Sequence, residues 1–576
     1  MRSSFWLTAA LNALSAYAAT TPSRTRTISQ RWQNEFISVA DGQFKVNGSD
    51  FKFVGTNAYW LPYLNSDDDI NDVLGNMSAA GIRVVRTWAF NDVTTVPVNG
   101  TWLQLIVNGT TSINNGTNGL QRLDKFVGMA QAHGIYVLFS LTNNWNPIDN
   151  SSQTTLSRRN DAGSSSLPRN FLSNTYGKLS SLCGMDAYVR EFGVDKKHDE
   201  FYTNETIIDI FKNYTKQVVS RYVNCPAVFG WELANDPRCN SSIPASASCN
   251  TLTITNWHAD LSQFIRSIDP NHLVSSGNHG FLCPSCPKLF PLNPPAPRPS
   301  AAAGASGARR RSVSGVITKA RLMRDIADKR RRVSTASTEV RDGVKIRGRW
   351  VASGNAKRQN SGVGSAFDGS QGVDSQDILN IPDIGFGSFQ LFPDQNNYGT
   401  LGQAPDASQN TGVDFNTTLQ QGINWIQSQA SSAQAVGKPL ALTGFGLVTQ
   451  SNAPFFVPFN STLPDIATAP NQGGANSTLG VADGQRDSAY QQWLQAGIQA
   501  GVQGMVQYQW TSNNLTTQNG TFLPTGIVPV QNTGDSTGTI GQSPNDGYGT
   551  EGVDQNNVQG TLANAAQQIN GTLGVS

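Results

Sequence analysis

The fold this sequence predicts is a (β/α)8 TIM barrel, an α/β architecture, interrupted by one disordered basic insertion. Three observations predict it. Eight short apolar runs of strand length alternate with stretches of helical period, a pattern that gives a parallel sheet wrapped by helices rather than a sandwich. Polar and aromatic residues gather just after the apolar runs, where such a barrel carries its chemistry. The rhythm stops once, between Pro294 and Asn360, in a segment rich in Pro, Ala, Ser, Gly and Arg that cannot bury a core.

The elements follow in order. Phe44 to Leu61 reads as a hairpin, with Phe51 and Phe53, leading into strand one. Asp67 to Ala80 has capping acids and helical spacing and is closed by Gly81. Ile82 to Phe90 is strand two. Leu120 to His133 is a helix closed by Gly134, and Ile135 to Leu141 is strand three, ending in Asn143-Asn144-Trp145. Residues 146–204 read as a long loop with short helices on the active face. Glu205 to Tyr222 is an outer helix. Val228 to Leu233 is strand four, a helix runs from near Ile254 to Ile268, and Leu273 to Ser276 is strand five. After the insertion, Asp383 to Phe392 holds strand six, Leu419 to Val436 a helix, Leu440 to Gly446 strand seven, Asp487 to Ala500 a helix, and Gly504 to Trp510 strand eight. The barrel is thus expected over 35–293 and 361–576.

The first 18 residues read as a secretory signal. Arg2 supplies the positive start, Phe5 to Leu14 the apolar run, and Ala16-Tyr17-Ala18 the cleavage site. A polar lead-in follows over 19–34. Many Asn-x-Ser/Thr acceptors, among them Asn47, Asn76, Asn204 and Asn570, suit a secreted glycoprotein. The even cysteine count suits disulfides in an oxidising compartment, and short loops favour Cys239–Cys249 and Cys283–Cys286. A Cys-x-x-Cys with His279 nearby is the weaker metal or redox alternative.

The net charge of +2 conceals an asymmetry. Between Pro294 and Asn360 stand 17 Lys/Arg and 4 Asp/Glu, a net of +13, which leaves −11 for the remainder. The acidic body does not suggest a nucleic-acid binder. No apolar stretch beyond the signal is long enough to span a membrane. The basic segment is read as a solvated linker, a dibasic processing site or translated intron sequence, with a basic amphipathic helix over 317–332 as the functional alternative.

The chemistry centres on strand four, Val228-Phe-Gly-Trp-Glu-Leu-Ala-Asn-Asp-Pro-Arg238. Asp236 stands just past the strand end. Gly230-Trp-Glu-Leu-Ala-Asn235, Phe53-Val-Gly-Thr-Asn-Ala-Tyr-Trp60, Val85-Arg-Thr-Trp-Ala-Phe-Asn91 and Ser543-Pro-Asn-Asp-Gly-Tyr548 together resemble glycoside hydrolase family 5, in its fungal endo-β-1,4-mannanase branch. The resemblance covers the chain except 1–34 and 294–360. It implies a secreted monomer that uses no metal or organic cofactor and binds β-mannan or a related cell-wall polysaccharide. It places Arg86 at the family's active-site arginine, Asn235 on the sugar 2-hydroxyl, and Asn143, Asn144 and Trp145 in a sugar-contacting loop. Trp88, Trp145 and Trp510 are candidate stacking platforms, with core packing as the alternative.

The departures fall on the reacting groups. A retaining glycosidase needs one carboxyl to protonate the leaving oxygen and a second, about 5–5.5 Å away, to attack the anomeric carbon. Where the family has Asn-Glu-Pro, this chain has Asn235-Asp236-Pro237. Where it has Glu-Phe-Gly on strand seven, this chain has Gly444-Phe445-Gly446. Where it has His-x-Tyr-Pro on strand six, this chain has Gln390-Leu391-Phe392-Pro393. After strand five it has His279-Gly280-Phe281 in place of Glu-Gly-Phe. Glu232 also stands in the intact family motif, which marks it as structural. The expectation is a mannan-binding protein whose normal retaining hydrolysis is lost. The alternatives are an active glycosidase using displaced carboxylates and a surface-interaction protein acting through the basic insert.

Overall fold

The computed structural model describes residues 35–97, 100–144, 184–239, 241, 243–292, 343–346, 349–352, 364–396, 398–399, 415–453, 480–513, 515–516, 540–541, 543–550 and 555–572. The expected signal and lead-in, Trp145, Cys183 and most of the basic insertion lie outside these residues. Residues 292–362 form a unit of their own. Within it Gly343–Ile346 pairs antiparallel with Arg349–Ala352, a hairpin inside the segment whose composition predicts no order.

In the other unit the eight expected strands are present: β1 (Phe53–Asn57), β2 (Val84–Trp88), β3 (Tyr136–Ser140), β4 (Val228–Glu232), β5 (Leu273–Ser275), β6 (Gly387–Leu391), β7 (Leu440–Phe445) and β8 (Gly504–Gln507). They form one parallel sheet in the order β5-β4-β3-β2-β1-β8-β7-β6. The two ends of that order meet at a seam without a ladder. The Gly385 N–H donates to the Val274 carbonyl at 2.7 Å, and Ser276 Oγ lies 3.0 Å from Ser388 Oγ. The sheet is therefore a (β/α)8 barrel whose last contact is made by side chains and two backbone amides, the second from the Gln390 N–H to the His279 carbonyl at 3.1 Å.

The helices sit where local signals put them. Asp67–Ala79 starts on Ser66, whose hydroxyl accepts the Asp69 N–H at 3.1 Å, and Asp67, Asp68 and Asp69 complement the positive end of its dipole. Thr251–Ile268 begins earlier than the apolar spacing predicts, because the Asn250 carboxamide accepts from the Leu252 and Thr253 N–H groups at 2.9 and 3.3 Å. One element was not foreseen. Asp92–Val93, Gln104–Val107 and Thr110–Ile113 form a small sheet in the connection after β2.

Aromatic packing closes the N-terminal end of the barrel. The three-stranded sheet Ser38–Ala40, Gln43–Val46 and Ser49–Asp50, which precedes β1, brings Phe44 within 5.2 Å of Phe229 and 5.3 Å of Phe386, ring centre to ring centre. Phe51 stacks on Phe53 at 5.5 Å. With this end filled, only the C-terminal ends of the strands can form a cleft. Both expected disulfides are formed, Cys239–Cys249 and Cys283–Cys286. Cys225 is not bonded to any cysteine among the described residues.

Candidate active site

The C-terminal ends of β1, β2, β4 and β6 converge on one arginine. Arg86, on β2, is fully buried and donates from Nε to Glu232 Oε2 at 2.7 Å, from Nη1 to Asn57 Oδ1 at 2.9 Å, and from Nη2 to Asn235 Oδ1 at 2.9 Å. Ser140 Oγ donates to the same Glu232 oxygen. Asn235 Nδ2 donates to Asn143 Oδ1 at 2.9 Å, and Gln390 Nε2 donates to Asn235 Oδ1 at 3.3 Å. Five of the residues singled out from the sequence (Arg86, Asn143, Asn144, Asn235 and Gln390) are thus placed together. Asn144 joins through its backbone, donating its N–H to the Asn235 carbonyl at 3.0 Å. Glu232 is committed to Arg86 as a buried ion pair. Breaking such a pair costs about 3–5 kcal/mol, so its role is to hold the arginine.

The two positions where the sequence resemblance expects carboxyl groups, 444 and 236, differ from that shell. Gly444 lies near the end of β7, opposite Gln390 in register. A Cβ built on it would stand 3.3 Å from Phe392 Cζ and 3.4 Å from Gln390 Oε1. The Phe392 ring and the Gln390 amide occupy the space in front of the missing side chain. Phe392 is held there from behind: its N–H donates to Tyr398 Oη at 3.0 Å, and Trp425 Nε1 donates to the Gln390 carbonyl at 3.0 Å. Burial pushes the Tyr398 hydroxyl up from the ordinary phenol range, so it stays a neutral donor and acceptor.

Asp236 is buried and adopts a φ of +55°, rare for a residue with a Cβ. Its N–H donates to the Gly277 carbonyl at 2.9 Å. Both carboxylate oxygens are taken by Arg238: Nε donates to Oδ1 at 2.9 Å and Nη2 to Oδ2 at 2.5 Å. His279 Nδ1 lies 3.3 Å from Arg238 Nη2 and 3.3 Å from Asn396 Nδ2, two donors. Nδ1 therefore accepts, and the ring proton sits on Nε2, 3.4 Å from Asp236 Oδ2. From the sequence Arg238 is simply the last residue of the strand-four stretch, with no role assigned. Its i,i+2 spacing to an acid was the one signal that could have found it.

A further carboxylate, not singled out from the sequence, lies on the segment that follows β8. Asp546 accepts from Tyr508 Oη at 2.6 Å and from Tyr59 Oη at 3.1 Å. Tyr508 in turn meets the Phe392 ring edge-on at 5.6 Å.

The tryptophans are less exposed than a stacking platform requires. Trp88 is buried between Tyr59 at 5.7 Å and Phe90 at 5.6 Å, with the Arg86 guanidinium 5.1 Å from its ring. Trp510 is also buried, and its carbonyl accepts from Trp60 Nε1 at 3.4 Å. Both show the core-packing arrangement weighed against ligand contact.

Comparison with known proteins places this geometry. Residues 34–290 match the glycoside hydrolase family 5 β-mannosidase-like family. That segment contains Arg86, Asn143, Asn235 and Asp236 and ends before Gln390, Phe392 and Gly444. Mannan endo-1,4-beta-mannosidase F of Aspergillus clavatus is 39% identical over 241 residues, 41% of this chain and 45% of that protein. Mannan endo-1,4-beta-mannosidase A of Aspergillus aculeatus is 38% identical over 247 residues, 43% of this chain and 54% of that protein. The chain thus spans about half the length of the curated relatives it matches. In fold, the endo-1,4-beta-mannanase of Rhizomucor miehei superposes with a TM-score of 0.55 at 23% identity, covering 93% of this chain and 99% of that one. The endo-beta-1,4-mannanase of Thermotoga petrophila gives 0.50 at 20% identity, covering 91% of this chain and 78% of that one. Over residues 34–290 the chain is similar in sequence to the mannanase-like proteins of glycoside hydrolase family 5, and its barrel is the fold of a solved endo-1,4-beta-mannanase.

Proposed function

We propose that this chain is a secreted β-mannan-binding protein in which ordinary retaining hydrolysis is lost. The observation that carries the reading is Gly444, with the Phe392 ring and the Gln390 amide packed where a nucleophile's side chain would begin. Retaining hydrolysis forms a bond from that side chain to the anomeric carbon, and glycine supplies no atom for it. The similarity of residues 34–290 to mannan-acting proteins supports the binding half of the reading, and the buried polar shell of Arg86, Asn143, Asn235 and Gln390 is compatible with it although its groups bond largely to one another. Two disulfides suit an oxidising compartment, and no helix among the described residues is long and apolar enough to cross a membrane. The test is mannan binding by affinity electrophoresis beside reducing-sugar release from galactomannan and glucomannan. Binding without release is the expected result. Sustained release at a rate typical of enzymes refutes the loss.

One observation favours a second reading. Asp546, a buried carboxylate, accepts from Tyr59 and Tyr508, and the Tyr508 ring meets the Phe392 ring that stands against Gly444. If wild-type protein does release sugar, Asp546→Asn is the first variant to assay, and unchanged turnover excludes Asp546.

A further inference from the structure

The acid/base position differs from a working one by more than side-chain length. A general acid must carry a proton on an oxygen aimed at the departing glycosidic oxygen, and must give it up as the C1–O bond breaks. Here both oxygens of Asp236 accept from one guanidinium in a two-pronged pair, the geometry of a carboxylate that only accepts. We infer that Arg238 is a positioning residue that captures Asp236 as a fixed anion, so that acid catalysis is disabled by the capture and not by the missing methylene alone.

Arg238 is itself held in place. It is fully buried, its guanidinium lies 4.8 Å from the Phe281 ring centre, and its Nη1 donates to Gln371 Oε1 at 3.1 Å. Gln371 is anchored in turn. Its carbonyl accepts the Cys239 N–H at 2.9 Å, and its neighbour Gly372, at φ +71°, lies so close that a Cβ there would meet Cys239 Sγ at 2.2 Å. Gly369, also at φ +71°, packs in the same way against both sulfurs of Cys283–Cys286. The strap 364–375 therefore joins two disulfides to the arginine that holds Asp236. On the acid's side, φ +55° and the bond to Gly277 fix the backbone from which the short side chain turns back toward residue 238.

The inference rests on reading this cleft as a mannanase cleft, but its test need not. The first measurement is a stability cycle on the full chain without ligand: wild type, Asp236→Ala, Arg238→Ala and the double variant. Each single change strands a buried charge and should lower the folded-to-unfolded ratio by roughly 100-fold or more, while the double variant should lose no more than either single. Additive losses overturn the capture, whatever mannan does. The second measurement separates positioning from mere structure. In a Gly444→Glu/Phe392→Tyr background, Arg238→Gln is assayed on mannan and on a 2,4-dinitrophenyl β-mannobioside. The sugar leaving group needs a proton and the dinitrophenolate does not. Releasing Asp236 should raise the kcat ratio of mannan to dinitrophenyl substrate by about tenfold or more. An unchanged ratio refutes the role of Arg238.

Discussion

Restoring a carboxylate at position 444 gives the sharpest test of how this cleft is built. The perturbation is Gly444→Glu. Its backbone does not lie in the left-handed region, so a side chain is allowed. The Cβ would meet Phe392 Cζ at 3.3 Å and Gln390 Oε1 at 3.4 Å, close enough that these neighbours must yield by a few tenths of an ångström. Replacing a strand glycine recovers about 0.5–1 kcal/mol of backbone entropy. Against this, the new carboxylate enters a buried site whose nearest ring, Phe392, offers it no hydrogen bond, and an uncompensated buried charge costs about 3–5 kcal/mol. The net expectation is a loss of about 2–4 kcal/mol. Adding Phe392→Tyr places a hydroxyl on the ring carbon nearest that Cβ, and a hydrogen bond to a charged partner returns about 1.5–3 kcal/mol. Denaturant unfolding of the wild type, the single variants and the double variant measures this directly, and reducing-sugar release measures whether chemistry returns. The single Gly444→Glu should be unstable and inactive, and the double variant should regain most of the stability. A Gly444→Glu protein as stable as the wild type, with Phe392→Tyr adding nothing, would show that the pocket already holds a partner for the carboxylate and would refute this picture of an apolar, filled nucleophile position.

Other consequences follow from single groups. Burial pushes the Asp92 carboxyl up to about 7 from 3.8, against the opposing Gly184 N–H. The folded state then holds a proton that the unfolded chain has lost, so this contribution is present below pH ~4 and is lost as pH rises toward ~7, at no more than about 1.4 kcal/mol per pH unit. Asp92→Asn should flatten that part of the thermal-stability profile, and a profile parallel to wild type would exclude the assignment. Burial lowers Lys438 to about 8 from 10.5, its ammonium donating to the Leu379 and Ile381 carbonyls at 2.8 and 2.7 Å. Here the unfolded chain binds the extra proton, so stability should rise between pH ~8 and ~10.5, and Lys438→Met should remove the rise in melting scans. Opening the Cys239–Cys249 bridge by a double serine change should cost about 2.7 kcal/mol from its 10-residue separation, against about 1.6 for the 3-residue Cys283–Cys286 bridge. Equal losses in denaturant unfolding would show that packing of the strap, not loop closure, sets the cost.

The barrel was legible because its signals are local. Apolar runs of strand length, Gly81 and Gly134 as helix stops, and the acids at Asp67–Asp69 each act within a few residues, and each element lies within a few residues of its expected bounds. Boundaries slipped where a polar cap outranked apolar spacing, as at Asn250, or where an apolar run outlasted its ladder, as between Gln507 and Trp510. The positions of Arg86, Asn143, Asn235 and Gln390 were legible through motif alone, since no periodicity brings residues from four strands to one point. Arg238 was not. Its partner is two residues away, but its grip depends on Gln371 and Phe281, which are distant in the chain. Trp88 and Trp510 show the same limit. A tryptophan at a strand end reads equally as platform or core, and only the packing of Tyr59 and Phe90 decides that Trp88 is covered.

Preservation of the Arg86 shell does not by itself argue for binding. Dismantling a buried arginine held by Glu232, Asn57 and Asn235 would destabilise the barrel whether or not any sugar enters, so stability alone explains its presence. Gln390 separates the two explanations. Among the described residues its side-chain amide makes one long contact, 3.3 Å to Asn235, and its oxygen faces the space at residue 444. Gln390→Ala should therefore cost only about 0.5–1.5 kcal/mol of stability. If the cleft holds mannan, the same change removes a donor and an acceptor at its floor, and affinity measured by titration calorimetry with mannohexaose should fall about tenfold. Unchanged affinity at slightly reduced stability would mean that the shell is scaffold and that any glycan is held elsewhere on the chain.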